Sequence, residues 1–574
     1  MRKILFATTI LITSLCVKAQ TPTLQWAKKL GEITYNQKGV STGIDASGNV
    51  YSVGNFEYGI DLDPSASVSL VYAVSGSTDI YISKLDASGN FVWGKTIGGT
   101  GIEDVKDVVV DATGNTYITG KYEPGTDFDP SVSATYTLPA TDSHFILKLD
   151  PLGNFLWAKS FGDAFGVNSK SIALDNTGNI YLTGYFSSLV DFDPSAVSTY
   201  TLYSYPYAST FILKLDNSGN FNWAKKIGEG GSDGCGNNVC TDLNGRVYVT
   251  GYFYGSADFD PSPSTYSLTA NLFTRDAYIT KFDGLGNLIW AKNLGGGYFD
   301  EGISCNVDTK GNVYSTGYYA GIGDFDPSST STYTLGGGTT ENNIFVSKLD
   351  SVGNFVWANK IGGSYDDRGT SIITDGLNNV YIAGYFEYIC DFNPSPIGTY
   401  TITSNGSQDG FITKLDENGV FVWNATFGAI AADWVNCLMT DPSNNVYATG
   451  FYERNTDFDP SSGIFNLPGN TGNTDAFVLK LTGLTTNLSN NKDNDFRFSL
   501  YPNPANEFVN INLEQLSNNP SNITITNILG EIISSNTFED NTHITINTSQ
   551  LNSGVYFVTV ENKGAKSTQK IVIE

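Results

Sequence analysis

The chain is poor in the residues on which most enzymatic chemistry depends. Its 574 residues include two histidines, two methionines and six cysteines, and charged residues make up only 16%. One histidine, His144, lies in the repeated part of the chain, and the other is His543. A Ser-His-Asp triad or a histidine-based metal site therefore has little support. The sequence contains no C-x-x-C pair and no phosphate-binding glycine loop, which weighs against zinc sites and nucleotide chemistry.

Positive charge and long apolar runs are also scarce. The chain has 32 Lys and Arg against 58 Asp and Glu, which gives a net charge of −26. So acidic a chain is not expected to bind nucleic acid through phosphate contacts or to adhere to anionic membranes. The apolar run 4–17 follows Arg2 and Lys3 and precedes Ala19, and it is too short to span a membrane. Residues 1–19 are therefore predicted to be a secretory signal, and no membrane insertion is expected.

The cysteines do not form a disulfide framework that the sequence alone can assign. Five follow the predicted signal, an odd number with scattered spacing: Cys235, Cys240, Cys305, Cys390 and Cys437. Cys235 and Cys240 are candidates for a bridge in an oxidising compartment. The alternative is that these cysteines are small buried residues.

What the chain does contain indicates an all-β repeat protein. Glycine is abundant, at 61 residues, and 13% of residues are aromatic. Seven tryptophans recur at intervals of 64 to 67 residues: Trp26, Trp93, Trp157, Trp223, Trp290, Trp357 and Trp423. Each unit holds four strand-like runs, and a lysine recurs in the third run: Lys84, Lys148, Lys214, Lys281, Lys348, Lys414 and Lys480. These tryptophans and lysines are interpreted as packing or ion-pair positions, because seven equivalent copies do not suit a catalytic role.

Turns of the form D-x-x-G-N connect the runs in pairs. The aspartate is expected to cap the turn, and the glycine to take the left-handed conformation of a bulge. Thirteen aspartates begin such turns: Asp45, Asp86, Asp111, Asp150, Asp175, Asp216, Asp242, Asp283, Asp308, Asp350, Asp375, Asp416 and Asp441. The spacing predicts a seven-bladed β-propeller with four-stranded blades over residues 20–482. The N-terminal strand 24–31 is expected to complete the seventh blade and close the ring.

The repeat unit resembles a known bacterial family. Residues 362–384 carry the pattern G-G-x-x-x-D-x-x-x-x-I-x-x-D-x-x-G-N-x-Y-x-x-G, with Asn378 in place of the turn glycine. This pattern is similar to the SBBP-type repeat of seven-bladed propellers. The resemblance implies the fold and leaves the function open.

A second, smaller domain is predicted at the C-terminus. Residues 483–496 are polar and asparagine-rich, as in a linker, and short alternating strands in 497–574 favour a small β-sandwich. Its motifs are Tyr501-Pro502-Asn503-Pro504, Leu529-Gly530, Leu551 to Tyr556 with Gly554, and Lys570-Ile571-Val572. They resemble the type A C-terminal sorting domain of type IX secretion in Bacteroidetes. The resemblance implies Sec export, a partner in the type IX secretion machinery, and a secreted or surface-attached protein; the alternative is an ordinary C-terminal binding module.

Candidate ligand-binding residues lie in the long excursion between the second and third strands of each unit. Each excursion contains D-[FL]-[DN]-P-S, and the carboxylates are Asp61, Asp63, Asp127, Asp129, Asp191, Asp193, Asp258, Asp260, Asp324, Asp326, Asp391, Asp457 and Asp459. Oxygen ligands two residues apart on a loop suit calcium. The alternative is a structural turn, because an Asp before Pro satisfies nearby N–H groups.

A second set of acids lies in the links that enter the first strand of each unit. They are Glu103, Asp104, Asp300, Glu301, Asp366, Asp367 and Asp433, and they are expected at one mouth of the central channel, on the same face as the excursions. They are interpreted as ligands for a cation or for sugar hydroxyls, or as a solvated rim.

We expect a non-enzymatic, secreted or cell-surface scaffold whose acidic long-loop face binds a glycan, a cation or another protein. Repetition alone explains many of the acids, whereas active sites usually break a repeat. The alternative is a glycoside hydrolase or lyase that uses the carboxylates of the channel mouth, with Asp300-Glu301 and Asp366-Asp367 as the irregular candidates. A purely structural surface component is a third interpretation.

Overall fold

The computed structural model describes 21–482, apart from 32–34, 66, 74–76, 142, 163–165, 231–232, 272–273, 338–340 and 397, and 498–573, apart from 514–520, 528–531, 539–542 and 563–564. These described residues contain strands and no helix, which confirms the all-β prediction. They accordingly include no helix able to cross a membrane. The chain divides into two compact units, Met1–Leu484 and Thr485–Glu574. The predicted signal 1–19 and linker 483–496 lie outside the described residues.

The described part of the first unit contains seven antiparallel groups of four strands, named here sheets 1 to 7 in chain order. Further main-chain pairing joins sheet 5 to sheet 6, where Gly362 pairs with Asp391, and joins the last strand of sheet 4 to the excursion of sheet 5, where Gly295 pairs with Asp324. Sheet 1 is formed by Gln37–Ile44, Val50–Glu57, Thr78–Leu85 and Phe91–Ile97. Sheet 2 is formed by Asp104–Val110, Thr116–Lys121, His144–Leu149 and Phe155–Phe161. Sheet 3 is formed by Val167–Leu174, Ile180–Asp191, Thr201–Leu215 and Phe221–Ile227. Sheet 4 is formed by Gly234–Thr241, Val247–Tyr254, Arg275–Phe282 and Leu288–Gly296. Sheet 5 is formed by Glu301–Val307, Val313–Ala320, Asn342–Leu349 and Phe355–Gly363. Sheet 6 is formed by Arg368–Thr374, Val380–Asp391, Thr401–Leu415 and Phe421–Phe427.

Sheet 7 combines the two ends of the unit. Its strands are Trp434–Thr440, Val446–Tyr452, Asp475–Leu481 and, from the beginning of the chain, Leu24–Leu30. Leu30 pairs with Ala476 and Leu24 with Leu481 in an antiparallel register. Short hairpins extend four of the excursions: Gly59–Asp61 with Leu70–Tyr72, Ser256–Asp258 with Ser267–Thr269, Ile322–Asp324 with Thr334–Gly336, and Thr456–Asp457 with Asn466–Leu467.

Consecutive sheets are joined through their first strands. The hydroxyl of Ser41 donates to Asp107 at 2.7 Å, and the hydroxyl of Ser171 donates to the other oxygen of Asp107 at 2.9 Å. The series returns from sheet 7 to sheet 1, where the amide of Asn436 donates to the carbonyl of Gly39 at 2.7 Å. Between the sheets, buried aliphatic and aromatic side chains form the core.

The thirteen predicted turns are confirmed. In the first, the N–H of Gly48 donates to the carbonyl of Asp45 at 3.0 Å, and the Asp45 carboxylate accepts the N–H groups of Ser47 and Asn49. Gly48 has φ +78°, the left-handed region that glycine favours. Asn378, which replaces the turn glycine in sheet 6, has φ 62°, a conformation that asparagine tolerates.

The repeated lysines and tryptophans connect each sheet to the turn of the next. Lys84 lies over the ring of Tyr51 at 4.7 Å, and its ammonium donates to the carbonyl of Pro151 in sheet 2 at 3.0 Å. The indole N–H of Trp93 donates to the same carbonyl at 3.1 Å. All seven lysines lie over a tyrosine ring, and six of them reach a turn carbonyl of the next sheet.

The exception occurs at sheet 7. Its third and fourth strands come from opposite ends of the chain, so no turn joins them. Lys414 of sheet 6, which faces this place, instead lies 3.6 Å from Asp375, and both side chains are buried. Among the described residues the buried indole nitrogen of Trp423 has no hydrogen-bond partner, as is also true of Trp290 in sheet 4. The change in the contacts of Lys414 is therefore the feature specific to sheet 7.

The described part of the second unit contains two small antiparallel sheets. One is formed by Phe498–Tyr501, Phe508–Leu513 and His543–Asn547, and the other by Ile532–Phe538, Ser521–Asn527, Gly554–Asn562 and Ala565–Ile573. A single apolar cluster contains residues of both sheets, including Val509, Ile511, Ile523 and Val558. This arrangement agrees with the predicted β-sandwich.

Candidate functional site

The D-[FL]-[DN]-P-S excursions form compact loops that use their own carboxylates. In sheet 3, one oxygen of Asp191 accepts the N–H groups of Asp193 and Tyr200 at 3.0 and 2.8 Å. One oxygen of Asp193 accepts the N–H of Ser195 at 2.9 Å, and the other accepts the hydroxyl of Ser198 at 2.6 Å. The other six excursions repeat the N–H contacts of both positions, with Asn393 in place of the second aspartate in sheet 6.

The apolar second residue of the motif, Leu or Phe, anchors each loop. It is buried in all seven copies: Leu62, Phe128, Phe192, Phe259, Phe325, Phe392 and Phe458. The main chain of the loop also bonds to the preceding sheet, as in the 2.7 Å contact between the N–H of Gly228 and the carbonyl of Asp258. The described residues contain no group of three or more His, Cys, Asp or Glu placed to hold a metal ion. Calcium binding by these loops stays a prediction.

The predicted channel-mouth acids fall into two groups, and four of them are fully buried. Asp300 accepts the N–H groups of Gly296 at 2.6 Å and Ala320 at 3.2 Å. Three other acids make equivalent contacts: Glu103 with Gly99 and Thr126, Asp367 with Gly363 and Glu387, and Asp433 with Ala429 and Glu453. Each ties a link to the second strand of its own sheet or to the residues just after it, and Glu103 does so through the hydroxyl of Thr126.

Burial shifts the proton affinity of these four acids. Desolvation, aided by the nearby Asp276, raises the pKa of Asp300 from 3.8 to about 8. Desolvation also raises the pKa of Asp367 and of Asp433 to about 7. The pKa of Glu103 is raised by the same cause. At neutral pH Asp300 is therefore mostly protonated, and Asp367 and Asp433 titrate close to neutrality.

The other three acids, Asp104, Glu301 and Asp366, are partly exposed. They lie where the first strands begin, at the end of the sheets away from the D-x-x-G-N turns, which is called the mouth below. Glu301 lies 2.7 Å from the guanidinium of Arg275 and accepts the hydroxyl of Tyr318 at 2.6 Å. Asp366 lies 3.1 Å from the guanidinium of Arg368, whose Cζ lies 4.5 Å from the ring centroid of Tyr318.

Aromatic and guanidinium groups thus fill the mouth along sheets 4 to 7. The ring of Tyr385 in sheet 6 stacks on Trp434 of sheet 7 at 4.3 Å. Phe451 of sheet 7 lies 5.0 Å from the ammonium of Lys38 in sheet 1. Arg275 lies 4.6 Å from the ring of Tyr252 in its own sheet. These side chains fill the space between the second strands of neighbouring sheets. A separate open cavity of about 620 Å³ lies between the link after sheet 6 and the excursion of sheet 7, where Ile430 and Arg454 are among its lining residues.

Between sheets 1 and 2 the mouth contains an open cavity of about 290 Å³. Its lining residues are Asn36, Lys38, Val40, Asn55, Phe56, Glu57, Thr78, Ile102 and Asp104. The amide nitrogen of Asn55 donates to the carbonyl of Glu103 at 2.9 Å, and its side-chain oxygen is buried with no donor among the described residues. The cavity therefore combines the amide of Asn55 with charged groups of both signs and the exposed Ile102.

Sequence reasoning found Asp104 and missed the rest of this cavity. The missed signal is a break in the repeat. The residue after the glycine of the second strand is aromatic in sheets 3 to 7: Tyr185, Tyr252, Tyr318, Tyr385 and Phe451. In sheets 1 and 2 it is Asn55 and Lys121. Asn55 is smaller than the tyrosine that fills the equivalent place, so the space stays open.

The sorting motif of the second unit brings its two ends together. Tyr501-Pro502-Asn503-Pro504 follows the first strand, where the side-chain oxygen of Asn503 accepts the N–H of Val572 at 2.9 Å. The N–H of Ala505 donates to the carbonyl of Val572, in the last strand of the unit, at 2.8 Å. The hydroxyl of Tyr556 donates to the carbonyl of Asn552 at 3.0 Å, and Gly554 begins the strand between them. Leu529-Gly530 lies outside the described residues.

Residues 499–574 match the family model of the secretion system C-terminal sorting domain. This match confirms the predicted nature of the C-terminal segment. A sorting domain of type IX secretion indicates export, either to the cell surface or into the medium, and interaction with the type IX machinery.

Comparisons with the longer first unit are weaker. The chain is 24% identical to an uncharacterized WD repeat-containing protein of Acanthamoeba polyphaga mimivirus, over 69% of this chain and 34% of the viral protein. The chain therefore spans about a third of the length of that relative. Dimeric latent PorU from Porphyromonas gingivalis aligns at 11% identity over 82% of this chain and 32% of its own, with a TM-score of 0.12. That score supports no conclusion about the fold.

Proposed function

We propose that residues 20–482 form a closed seven-bladed β-propeller of the SBBP type, in which sheets 1 to 7 are the blades. The support is the N-terminal strand in sheet 7 and the hydrogen bonds that run through the first strands from Ser41 to Asn436 and back to Gly39. Residues 1–19 are the signal, 483–496 the linker and 497–574 the sorting domain of this organisation. The chain is thus a scaffold that Sec and then type IX secretion place outside the cell.

The scaffold binds a glycan at its mouth, in the cavity between sheets 1 and 2. The observation that carries this proposal is the mixed lining of the cavity, in which the polar groups of Asn55, Asp104 and Lys38 lie beside the apolar side chains of Val40 and Ile102. A few polar groups set in apolar surface are the usual lining of small-ligand sites.

The other lining groups suit the same ligand. Asp104 and Glu57 accept hydroxyl protons, Lys38 donates, and Ile102 and Val40 offer apolar surface to the carbon face of a sugar ring. The volume of about 290 Å³ is at the lower limit of ligand pockets, which fits one or two sugar units of a longer chain. The cavity opens at the acidic mouth, so neutral glycans are favoured over anionic ones.

The direct test is a binding titration of the full-length exported protein against a panel of neutral and anionic oligosaccharides. Asn55→Tyr places in sheet 1 the residue that sheets 3 to 6 already carry, and it fills the cavity. We expect this variant to keep its thermal midpoint and to lose at least about tenfold in affinity, the loss of one well-placed hydrogen bond or contact.

Two further variants make the test specific. Asp104→Asn keeps the shape of the cavity and changes one charge, and we expect it to weaken binding. Glu229→Gln is the matched control, because Glu229 is an exposed acid on the link before sheet 4, outside the cavity. Equal binding by wild type and Asn55→Tyr contradicts the proposal, and so does equal weakening by Asp104→Asn and Glu229→Gln.

The enzyme alternative has one observation in its favour. The raised pKa values of Asp300 and Asp367, about 8 and about 7, are typical of catalytic acids. Both side chains are fully buried and bonded to main-chain N–H groups, which opposes contact with a substrate. Turnover of a polysaccharide that is lost in Asp300→Asn or Asp367→Asn supports a glycoside hydrolase or lyase. Binding without turnover supports the scaffold.

A further inference from the structure

Two cysteines from neighbouring sheets lie against each other. The sulfur of Cys240, in the first strand of sheet 4, is 3.2 Å from the sulfur of Cys305, in the first strand of sheet 5. An S–S bond is about 2.0 Å long, so a small movement brings the two sulfurs to bonding distance. Both strands are held in register here, because the N–H of Cys305 donates to the side-chain oxygen of Asn238 at 3.0 Å.

We infer that Cys240 and Cys305 form a disulfide bond that links sheets 4 and 5 in the exported protein. Export is indicated by the sorting domain, and disulfides form and persist in oxidising compartments. The inference is independent of the proposed glycan site.

The pairing differs from the one that the sequence suggested. Cys235 and Cys240 belong to the same strand, five positions apart, which places them about 15 Å from each other at the rise of a β-strand. The thiol of Cys235 faces Asn237, at 3.3 Å. Sequence proximity favoured this pair, whereas the contact between sheets brings Cys240 to Cys305.

The reaction needs an oxidant, which is an oxidised dithiol oxidoreductase of the exporting compartment. The thiolate of one cysteine attacks the disulfide of the oxidoreductase, forms a mixed disulfide and releases one oxidoreductase thiolate. The second cysteine thiolate then attacks the first cysteine sulfur and displaces the other oxidoreductase thiolate. Two protons leave the cysteines, and two electrons reduce the oxidoreductase to its dithiol form.

The bond forms before the two sheets have finished packing. In the folded protein, burial and the neighbouring thiol of Cys305 raise the pKa of Cys240, and a buried thiol reacts slowly. Once formed, the bond closes the chain between residues 240 and 305 and restricts the unfolded state.

The test is peptide mass spectrometry of the full-length protein recovered from outside the cells. The protein is denatured in iodoacetamide without reductant and digested. We expect one linked peptide that joins Cys240 to Cys305, lighter by two hydrogen atoms than the sum of its parts and separated by dithiothreitol. Cys235, Cys390 and Cys437 should be alkylated.

Variants define the pair. Cys240→Ser and Cys305→Ser should each remove the linked peptide, and Cys437→Ser, also on a first strand, should leave it unchanged. Dithiothreitol should lower the thermal midpoint of the wild type and leave that of Cys240→Ser unchanged. Full alkylation of both Cys240 and Cys305 in the wild type overturns the inference, as does a linked peptide that joins either of them to another cysteine. The wild-type spectrum decides the question even if a variant is not exported.

Discussion

Equivalent residues behave alike at one end of the sheets and differently at the other. At the turn end, Lys84 of sheet 1 and Lys348 of sheet 5 each lie over a tyrosine ring and donate to a turn carbonyl of the next sheet. At the mouth, Asn55 of sheet 1 and Tyr318 of sheet 5 share a register position, yet Asn55 borders a cavity and Tyr318 packs against Arg368. The turn end stabilises the repeat, and departures from the repeat at the mouth create the candidate ligand site.

The largest effect is expected from removing a repeated aromatic at the turn end. Trp93 lies against the left-handed Gly153 of sheet 2 and bonds to Pro151, so Trp93→Ala removes packing and a hydrogen bond together. We expect a loss of about 3–5 kcal/mol in the free energy of unfolding, measured by urea denaturation of the full chain. Val92→Ala is the control, because Val92 is its half-exposed neighbour on the same strand. Equal losses in the two variants would contradict the packing role.

The next largest loss of stability is expected next to sheet 7, where the N-terminal strand completes the sheet. Lys414 of sheet 6 is buried beside Asp375, because sheet 7 has no turn between its third and fourth strands. Lys348 of sheet 5 donates instead to the turn carbonyl of Glu417 in sheet 6. Lys414→Met leaves a buried carboxylate without its cation and should cost about 3 kcal/mol, against about 1 kcal/mol for Lys348→Met. The same urea measurement compares the two variants. A loss for Lys414→Met that is no larger than that for Lys348→Met would contradict the special role of the contacts next to sheet 7.

The buried mouth acids predict a pH dependence of stability. Their folded pKa values, about 8 for Asp300 and about 7 for Asp367 and Asp433, lie above the ordinary value of 3.8. The folded state therefore binds more protons, so their contribution is complete below about pH 4 and is lost as the pH rises through 7 to 8. We expect each acid to lose on the order of 1 kcal/mol of stability per pH unit between about pH 4 and its folded pKa, seen as a falling thermal midpoint.

A matched pair of variants isolates this effect. Asp367→Asn should flatten the decline of the midpoint between pH 5 and pH 8, because the buried group no longer titrates. The adjacent, partly exposed Asp366→Asn should leave most of the decline in place, because burial is the largest cause of the raised pKa of Asp367 and the charge of Asp366 is a smaller one. A decline that is the same in both variants would assign the pH dependence to other groups.

The smallest effect is expected from calcium. The carboxylates of each excursion already accept N–H groups of their own loop, as Asp258 and Asp260 do. We expect equal thermal midpoints for residues 20–482 in EDTA and in millimolar calcium. An upward shift with calcium that is absent with magnesium would make these loops metal sites, by linkage.

Much of the turn end was predictable, because thirteen copies of one turn average out local variation. The division of the mouth acids was not predictable. Asp300 and Glu301 are adjacent, and successive residues of a strand face opposite sides. The pairing of the first two strands of sheet 5 shifts in register between Gly302 and Ser304. The alternation of inward and outward side chains along the rest of the strand therefore does not predict which of the two acids is buried. The pairing Cys240–Cys305 depends in the same way on contact between sheets.

The most direct test of the central claim is hydrogen exchange of the exported protein with and without a bound oligosaccharide. Our account predicts slower exchange at 36–40, 54–57 and 102–105, which border the cavity, and unchanged exchange in the D-[FL]-[DN]-P-S loops. Protection confined to those loops or to the filled side of the mouth, with no change around Asn55, would contradict the assignment of the glycan to this cavity.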